Sequence, residues 1–321
     1  MKLGVIGTGA ITKSMLAEYQ QCDKFEVHAI YSRKEETGRA IADQFSIPTV
    51  YTRLEDLLAD PQIEIVYIAT PNSIHYSQAR AALLAGKHVI CEKPFTPTLA
   101  EAKELVELAM QKHLLLFEAI TLAHHPHYQF VKDNLSKLGK LKIVSATFCQ
   151  FSSRYPALLA GNPSPVLNHA FAGGALMDIN LYNVHFIVGL FGTPKSVRYF
   201  PNCHETGVDT SGILLLEYED FWCQCTAAKD SAARNGVQII GVDGSMEITP
   251  SSSNCQTVEL NIRGQEPVSV HRPENPWYHE VQDLGSLVEA MDYDYCYESL
   301  NTTLQVVDVL EKARKYAGFG F

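Results

Sequence analysis

The first 120 residues alternate between short apolar runs and amphipathic runs, and this alternation constrains the fold more than any other feature. The apolar runs have the length and composition of strands: KLGVI, FEVHAIY, IEIVYIA, HVICE and LLLFEA. Between them lie runs that favour helices, among them AITKSMLAEY, EETGRAIADQF, HYSQARAALLAG and AEAKELVELAMQKH. Strands joined by helical crossovers predict a doubly wound parallel sheet.

Beyond residue 121 the pattern changes to strand-like runs with few helices between them. These runs are KIVSATFCQF, KSVRYF, SGILLLEY, FWCQCTAA, VQIIGVDG, SMEIT and VELNI. One long helix, GALMDINLYNVHFIVGLFG, interrupts them, and one or two helices close the chain after Pro276. This pattern predicts an α+β domain with a mostly antiparallel open sheet. We therefore predict two domains, residues 1–121 and 122–321, as a length of 321 residues also favours.

Charge and cysteine usage limit the classes of partner. A net charge of −10 argues against nucleic acid or an anionic membrane surface as the main partner. The eight cysteines are scattered without paired metal-binding spacing, and we expect free thiols. We expect neither a secretory leader nor an apolar run of membrane-spanning length, and we predict a cytoplasmic protein.

The segment GTGAIT lies between the first strand and the first helix. Gly7 permits a tight turn, and Gly9 lets a pyrophosphate approach the backbone at the helix N-terminus. Thr12 departs from the dinucleotide fingerprint, which has Gly or Ala there. An ordinary glycine turn is the alternative interpretation. The cofactor contacts predicted from this loop are Gly7, Thr8, Gly9, Ala10 and Ile11.

The end of the second strand bears on the choice of cofactor. An acidic residue there would bind the ribose of NAD, but the sequence has Ser32, Arg33 and Lys34. A hydroxyl and two cations suit the 2′-phosphate of NADP, so we favour NADP over NAD, with Ser32 and Arg33 as contacts. The alternative is a solvated helix start, in which Glu35 and Glu36 dilute the positive charge.

Four segments together resemble the Gfo/Idh/MocA family of NAD(P)-dependent oxidoreductases. They are GTGAIT, ATPNSIHY at 69–76, CEKPF at 91–95 and GGALMDINLY at 173–182. Because Tyr rather than His stands at position 182, the chain resembles the dihydrodiol dehydrogenase and glucose–fructose oxidoreductase branch of this family. The resemblance implies a Rossmann domain, a second α/β domain with the active site in the crevice between them, and a homodimer or dimer of dimers formed through the outer face of the second sheet.

The resemblance also implies roles for single residues. Lys93 matches the lysine beside the nicotinamide, and Tyr182 matches the catalytic tyrosine. Asp178 precedes Tyr182 by four residues, so both lie on one helical face, where Asp178 could orient substrate hydroxyls or tune Tyr182 and Lys93. A surface lysine and a packing tyrosine are the alternatives. Glu92 is interpreted as a structural partner. The further cofactor contacts implied are Thr70, Pro71, Asn72, His75, Glu92 and Lys93.

The chain also departs from the family pattern. Leu122 and Ala123 stand where relatives often carry an aromatic residue and an arginine, and Asn180 replaces a familiar glycine. Arg154 and Tyr155 are substrate-binding candidates from the second domain, and His185 either lines the pocket or belongs to the core.

Histidines are concentrated in His124-His125-Pro-His127, but no acid or cysteine ligand accompanies them at a recognisable spacing, and we predict no metal. The sequence therefore predicts an NADP-dependent oxidoreductase acting on a sugar, polyol or related diol. The alternative is a nucleotide-binding sensor of the same fold that has lost catalysis.

Overall fold

The computed structural model describes residues 1–273 and 275–319, which group into two compact units. The first unit contains residues 1–120 and 277–304, and the second contains residues 121–276 and the chain from 305 onward. The two predicted domains were each continuous in sequence. In the structure, residues 277–304 belong to the first unit although they follow the second unit along the chain.

The first unit is built on a six-stranded parallel sheet with the order β3-β2-β1-β4-β5-β6. Its strands are β1 (Lys2–Ile6), β2 (Glu26–Tyr31), β3 (Thr49–Tyr51), β4 (Ile65–Ile68), β5 (His88–Glu92) and β6 (Leu116–Ala119). Its connecting helices are α1 (Ala10–Tyr19), α2 (Glu35–Phe45), α3 (Leu54–Ala59), α4 (His75–Leu84) and α5 (Leu99–Lys112). The predicted doubly wound sheet is confirmed. Its order reverses beside β1, and this switch point is where such sheets bind ligands.

Two helices from the end of the chain complete this unit because they bury apolar side chains in it. Helix α9 (Pro276–Ala290) buries Val281, Leu284 and Val288. The first turns of α10 (Tyr293–Ala317) dock on β6, where the Cys296 thiol lies 3.2 Å from the Leu116 carbonyl oxygen. The sequence pattern of the closing helices did not indicate which sheet they would cover.

The second unit is built on an eight-stranded sheet with the order β14-β13-β12-β11-β7-β10-β9-β8. Its strands are β7 (Leu141–Cys149), β8 (Ser196–Cys203), β9 (Asp209–Glu217), β10 (Trp222–Ala228), β11 (Gly236–Gly241), β12 (Gly244–Thr249), β13 (Thr257–Ile262) and β14 (Val268–His271). The other helices are α6 (Pro126–Asn134), α7 (Tyr155–Leu159) and α8 (Leu181–Phe191). All strand pairs are antiparallel except β7 with β10, which confirms a mostly antiparallel sheet.

The segment His169–Phe191 is long and apolar enough to cross a membrane by length and composition, with a mean hydropathy of 1.2. The expectation that no run reaches that length is therefore wrong for this segment. However, 72% of the apolar window is buried inside the structure. The core helix of a soluble protein has the same length, composition and burial, so the segment is weak evidence for a membrane span.

Candidate active site

The glycine loop after β1 has the geometry of a phosphate-binding turn. Gly7 has φ +130°, and a Cβ there would lie 2.2 Å from the Ala69 carbonyl oxygen, so only glycine fits. Gly9 is the N-cap of α1. Among the described residues no side chain caps the helix, and none apart from the two chain neighbours of Gly9 has an atom within 4 Å of where a Cβ would stand. The first-turn N–H groups of α1 therefore face open space, which suits a pyrophosphate.

The predicted loop contacts Thr8, Ala10 and Ile11 are half-buried or exposed, so a ligand can reach them. Thr12, where the fingerprint has Gly or Ala, is fully buried. Its hydroxyl has no hydrogen-bond partner in the part of the chain that the structure describes. The threonine is thus accommodated in the helix–sheet contact, and it leaves the accessible edge of the loop unchanged.

At the end of β2, the two predicted contacts for the adenosine ribose differ in their accessibility. The Ser32 hydroxyl is buried and donates to the Lys34 carbonyl oxygen at 2.8 Å, so it stabilises the local turn. Arg33 is exposed, and within residues 1–273 and 275–319 it forms no ion pair. Of the two predicted contacts, Arg33 is therefore the one whose side chain can bind a phosphate.

Residues 70–75 connect the carboxyl end of β4 to α4. Pro71 and Asn72 are half-buried at the start of a 3₁₀ turn (Asn72–Ile74), and a ligand can reach them. His75 is fully buried, with one ring nitrogen 2.9 Å from the Pro94 carbonyl oxygen and the other 2.8 Å from the Thr70 carbonyl oxygen. Burial lowers the pKa of His75, and the two carbonyl contacts oppose this effect. The ring links two chain segments at this edge of the sheet, and its geometry favours a positioning role.

Lys93 follows the last residue of β5, is half-buried, and precedes Pro94 through a cis peptide bond. The neighbouring Glu92 side chain is buried and anchored at both oxygens. Glu92 Oε1 accepts a hydrogen bond from the Tyr67 hydroxyl at 2.6 Å, and Oε2 accepts one from the Lys93 backbone N–H at 3.2 Å. Burial raises the pKa of Glu92, whereas the Tyr67 hydrogen bond and Lys93 lower it. These contacts favour the interpretation of Glu92 as a structural partner.

The interior behind Lys93 contains two further carboxyl groups that sequence reasoning missed. Glu118 is buried on β6 and accepts a hydrogen bond from the Thr303 hydroxyl at 2.8 Å. Glu280 on α9 is 2% exposed, and burial, together with the charges of Glu92 and Glu118, raises its pKa well above the usual value. Glu280 precedes the apolar Val281 in a helix with a clear apolar face, but the sequence alone does not reveal the other two carboxyls as its neighbours.

In the second unit, Asp178 and Tyr182 occupy the one opening in a buried segment. Residues 172–188 are all buried except these two side chains. Asp178 lies in a π-helical turn (Leu176–Asn180) and Tyr182 at the start of α8, so the predicted shared face is present. Turns of this kind occur frequently at functional sites. The Phe148 ring lies beside Tyr182, with centroids 5.9 Å apart.

Asp178 forms an ion pair with Lys229, a residue that sequence reasoning did not single out. The side chains are 21% and 7% exposed, respectively. Lys229 follows Cys223, Cys225 and Ala227, which are all buried, so a two-residue alternation already placed a lysine at an inward position. That alternation is the signal that could have identified it.

Gly173 and Gly174 are required by the packing of the protein itself. A Cβ on Gly173 would lie 2.5 Å from the Pro165 carbonyl oxygen. Gly174 has φ +125°, and a Cβ there would collide with the Asp209 carboxylate. Asp209 accepts hydrogen bonds from the Leu176 backbone N–H and the Tyr199 hydroxyl, both at 2.7 Å, and thereby fixes the start of the π-helical turn. Contacts within the protein therefore account for both glycines.

The departure at Asn180 is explained by a buried amide network. Asn183 Nδ2 donates to Asn180 Oδ1 at 2.9 Å, and the Ser252 hydroxyl donates to Asn183 Oδ1 at 2.7 Å. Asn183 Nδ2 also lies 3.3 Å from the Thr226 carbonyl oxygen on β10. These bonds tie the π-helical turn and α8 to the sheet and so hold Asp178 and Tyr182 in place.

The remaining candidates fall into two groups. Arg154 is exposed and Tyr155 half-buried at the start of α7, where both remain accessible. His185 is buried within α8, which favours the core interpretation. Leu122 and Ala123, which depart from the family pattern, are buried and exposed, respectively.

The histidine-rich segment has structural contacts. The His125 ring accepts a hydrogen bond from the His127 backbone N–H at the start of α6, and His127 Nδ1 lies 2.9 Å from the Cys255 carbonyl oxygen. Among the described residues, no group of three or more His, Cys, Asp or Glu side chains has the arrangement of a metal site.

Two family models match the chain. Residues 1–120 match the oxidoreductase family with an NAD-binding Rossmann fold, and residues 134–247 match the GFO/IDH/MocA C-terminal domain. The scyllo-inositol 2-dehydrogenase (NADP⁺) IolU of Bacillus subtilis is 29% identical over 99% of this chain and 97% of its own length. The human trans-1,2-dihydrobenzene-1,2-diol dehydrogenase belongs to the branch that Tyr182 indicated. It is 28% identical over 100% of this chain and 98% of its own length.

Among solved structures, the chain is similar to KijD10, a 3-ketoreductase from Actinomadura kijaniata in complex with NADP and TDP-benzene. The TM-score is 0.86 at 22% identity, with coverage of 98% of this chain and 97% of the other. At this identity the likeness shows a shared fold across both units.

Proposed function

Because the chain belongs to the GFO/IDH/MocA family of oxidoreductases, we propose that it is an NAD(P)-dependent dehydrogenase or reductase of a sugar, polyol or related diol. The observation that carries this proposal is the exposure of Asp178 and Tyr182 in a segment that is otherwise buried from 172 to 188. A carboxylate and a phenol at the one opening of a core helix are suited to bind and protonate a hydroxylated substrate. The substrates of IolU and of dihydrodiol dehydrogenase, as their names describe them, also support this class.

We assign the proton transfer to Tyr182 and the polarising charge to Lys93. When bound, the nicotinamide supplies or accepts the hydride. Tyr182 gives its hydroxyl proton to the substrate oxygen in reduction, and in oxidation its phenolate accepts the proton of the substrate hydroxyl. A phenol has an ordinary pKa of about 10, so it needs a nearby cation to exchange a proton at neutral pH. We assign to the Lys93 ammonium the stabilisation of negative charge on the reacting oxygen, the role that the family motif implies for it.

The catalytic assignment is tested with Lys93→Ala and Tyr182→Phe. Each should lower kcat by about 10²-fold or more while changing the Kd of the dinucleotide far less. Lys103→Ala and Tyr316→Phe alter exposed residues of the same types and should leave kcat unchanged. Near-normal rates in both site variants would overturn the mechanism. Tight dinucleotide binding by the wild-type protein without turnover of any sugar, inositol or diol would favour the sensor alternative.

We propose NADP as the preferred cofactor because Arg33 is exposed at the end of β2 and no acidic residue stands there. Arg33→Ala should weaken NADPH binding about 10-fold or more and leave NADH binding nearly unchanged, since only NADPH carries the 2′-phosphate. Matched titrations of both nucleotides measure this difference. Tighter binding of NADH than of NADPH by the wild-type protein would contradict the preference.

We also propose a cytoplasmic homodimer formed through the outer face of the second sheet. The strand register aligns Ile240, Ile143 and Trp222 across β11, β7 and β10, and these side chains are 38%, 50% and 42% exposed. Phe200 and Ile213 lie opposite each other on β8 and β9, and both are exposed. A second copy would cover this apolar face. Ile143→Asp should convert a dimer to a monomer in sedimentation, and a wild-type monomer at micromolar concentration would refute the proposal.

A further inference from the structure

Lys229 occupies an interior position at the end of β10. Its backbone N–H donates to the Thr210 carbonyl oxygen at 2.7 Å, and its own carbonyl oxygen accepts from the Ser152 N–H at 2.8 Å. These two bonds continue the ladder of β10 with both neighbouring chain segments, so the residue is fixed in place. A lysine at a buried position costs free energy unless its ammonium is paired, and here the partner is the Asp178 carboxylate.

The ion pair lies at the accessible spot of the segment rather than deep in the core. Asp178 and Tyr182 are both partly exposed, and their spacing of four residues places them on one face of the helix. Phe148 pairs with Ala227 across β7 and β10, which places its ring on the same side of the sheet as Lys229. The spot therefore combines a carboxylate, an ammonium and a phenol with one apolar wall, as expected of a small-molecule site.

We propose that Lys229 is a specificity-determining residue that, together with Asp178, recognises a second hydroxyl group adjacent to the reacting carbon. This inference rests on the proposed function and narrows its substrate class to neutral vicinal diols and polyols. The carboxylate accepts a hydrogen bond from a hydroxyl, and the ammonium, which has three N–H donors, donates to the oxygen of the same or a neighbouring hydroxyl. Because the pair is neutral overall, it offers no net charge to attract a phosphorylated or carboxylated substrate.

The pair also explains why Asp178 does not hinder Tyr182. A carboxylate close to a phenol disfavours the phenolate, because the two negative charges repel. The Lys229 ammonium cancels that negative charge and leaves the oxygen atoms of Asp178 able to accept hydrogen bonds. Lys229 is thus expected to act on substrate choice and binding, whereas the proton transfer stays with Tyr182.

The test compares an alcohol that has the second hydroxyl with one that lacks it. The wild-type protein should use trans-1,2-cyclohexanediol at least about 10-fold better than cyclohexanol in kcat/KM. Lys229→Met should lower kcat/KM for the diol about 10-fold more than that for cyclohexanol, with the difference mainly in KM. A loss common to both alcohols reflects the Asp178 charge that is then left uncompensated beside Tyr182. Lys229→Arg retains the cation and should keep the preference. Lys140→Met, which breaks the exposed Lys140–Asp220 pair, is the control and should behave as wild type.

An equal loss for both alcohols in Lys229→Met would show a general structural role and overturn the proposal. Thermal unfolding identifies a Met variant that does not fold. In that case Asp178→Asn takes its place, and an unchanged diol preference in that variant overturns the proposal equally. If the wild-type protein oxidises neither alcohol, the proposed function is tested separately with sugars, inositols and other diols. Calorimetric titration of the NADP-loaded protein then decides the recognition, and equal affinity for the two alcohols would refute it.

Discussion

The carboxyl group of Glu280 should give the protein a measurable pH dependence of stability. Glu280 is 2% exposed, and its Oε1 has no hydrogen-bond partner among residues 1–273 and 275–319. Its neighbours Glu92 and Glu118 are also buried, and a third negative charge among them is unfavourable. We expect Glu280 to remain protonated in the folded protein at pH values well above the pKa of an exposed glutamate. Glu280→Gln replaces it with a neutral side chain of the same shape.

The size of the effect follows from proton linkage. In the unfolded chain Glu280 titrates near its ordinary pKa of about 4.3. Because the folded-state pKa is raised, the folded protein retains a proton that the unfolded chain releases. The associated stability is fully present below the unfolded pKa and is lost as the pH rises towards the folded pKa. The loss is at most about 1.4 kcal/mol per pH unit, so the stability of Glu280→Gln should rise relative to wild type as the pH increases from 5 to 7.

The assay is urea denaturation of wild type and Glu280→Gln at pH 5, 6 and 7, with the free energy of unfolding extrapolated to water. The control is Glu289→Gln, which alters an exposed glutamate on the same helix that pairs with Lys24 at 2.7 Å. The control should shift stability by about 1 kcal/mol or less at every pH. Parallel pH curves for wild type and Glu280→Gln would refute the reasoning, because they would mean that Glu280 binds no extra proton in the folded state.

Three further predictions concern packing and hydrogen bonding. Gly7→Ala should lower the free energy of unfolding by several kcal/mol or prevent folding, because a Cβ would lie 2.2 Å from a carbonyl oxygen. Gly9→Ala should fold normally and bind NADPH more weakly. Urea denaturation measures the first effect, and nucleotide titration measures the second. Asn183→Ala should cost about 1–3 kcal/mol by urea denaturation, because it leaves buried polar partners unsatisfied, and a cost near zero would contradict the network. Thr303→Val removes a hydrogen bond to the buried Glu118 side chain and should cost about 1–3 kcal/mol by urea denaturation, and a cost near zero would contradict a stabilising role for this bond.

The sequence predicts the parts of the fold that depend on local pattern. Alternating strands and helices determine the parallel sheet, and Gly7 and Gly9 stand at the turn where the chain needs them. The predicted helical face of Asp178 and Tyr182 is also local, because residues four apart on a helix are neighbours. The position of the closing helices could not be predicted, because it depends on which sheet buries their apolar side chains. A sequence pattern reveals that a face is apolar but not which surface covers it.

The charged residues that sequence reasoning missed have partners far away along the chain. Lys229 contacts Asp178 across 51 residues, and Thr303 contacts Glu118 across 185. In a single sequence, an inward-facing lysine or a glutamate beside an apolar stripe is indistinguishable from a solvated one until its partner is known. The two-residue alternation before Lys229 indicated its direction. Only the folded structure shows that the Asp178 carboxylate lies beside this lysine.

In both units, the position of the residue assigned a function depends on a side chain outside the recognisable motifs. The backbone N–H of Lys93 bonds to Glu92, which is fixed in turn by the Tyr67 hydroxyl on the neighbouring strand. Asp178 is paired with Lys229 on β10. A charged side chain on a flexible stem loses conformational entropy whenever it acts, and buried partners reduce that cost by restricting it beforehand. Substitution of Tyr67 or Lys229 should therefore weaken function even with every motif residue intact, and the motifs alone are insufficient to specify the site.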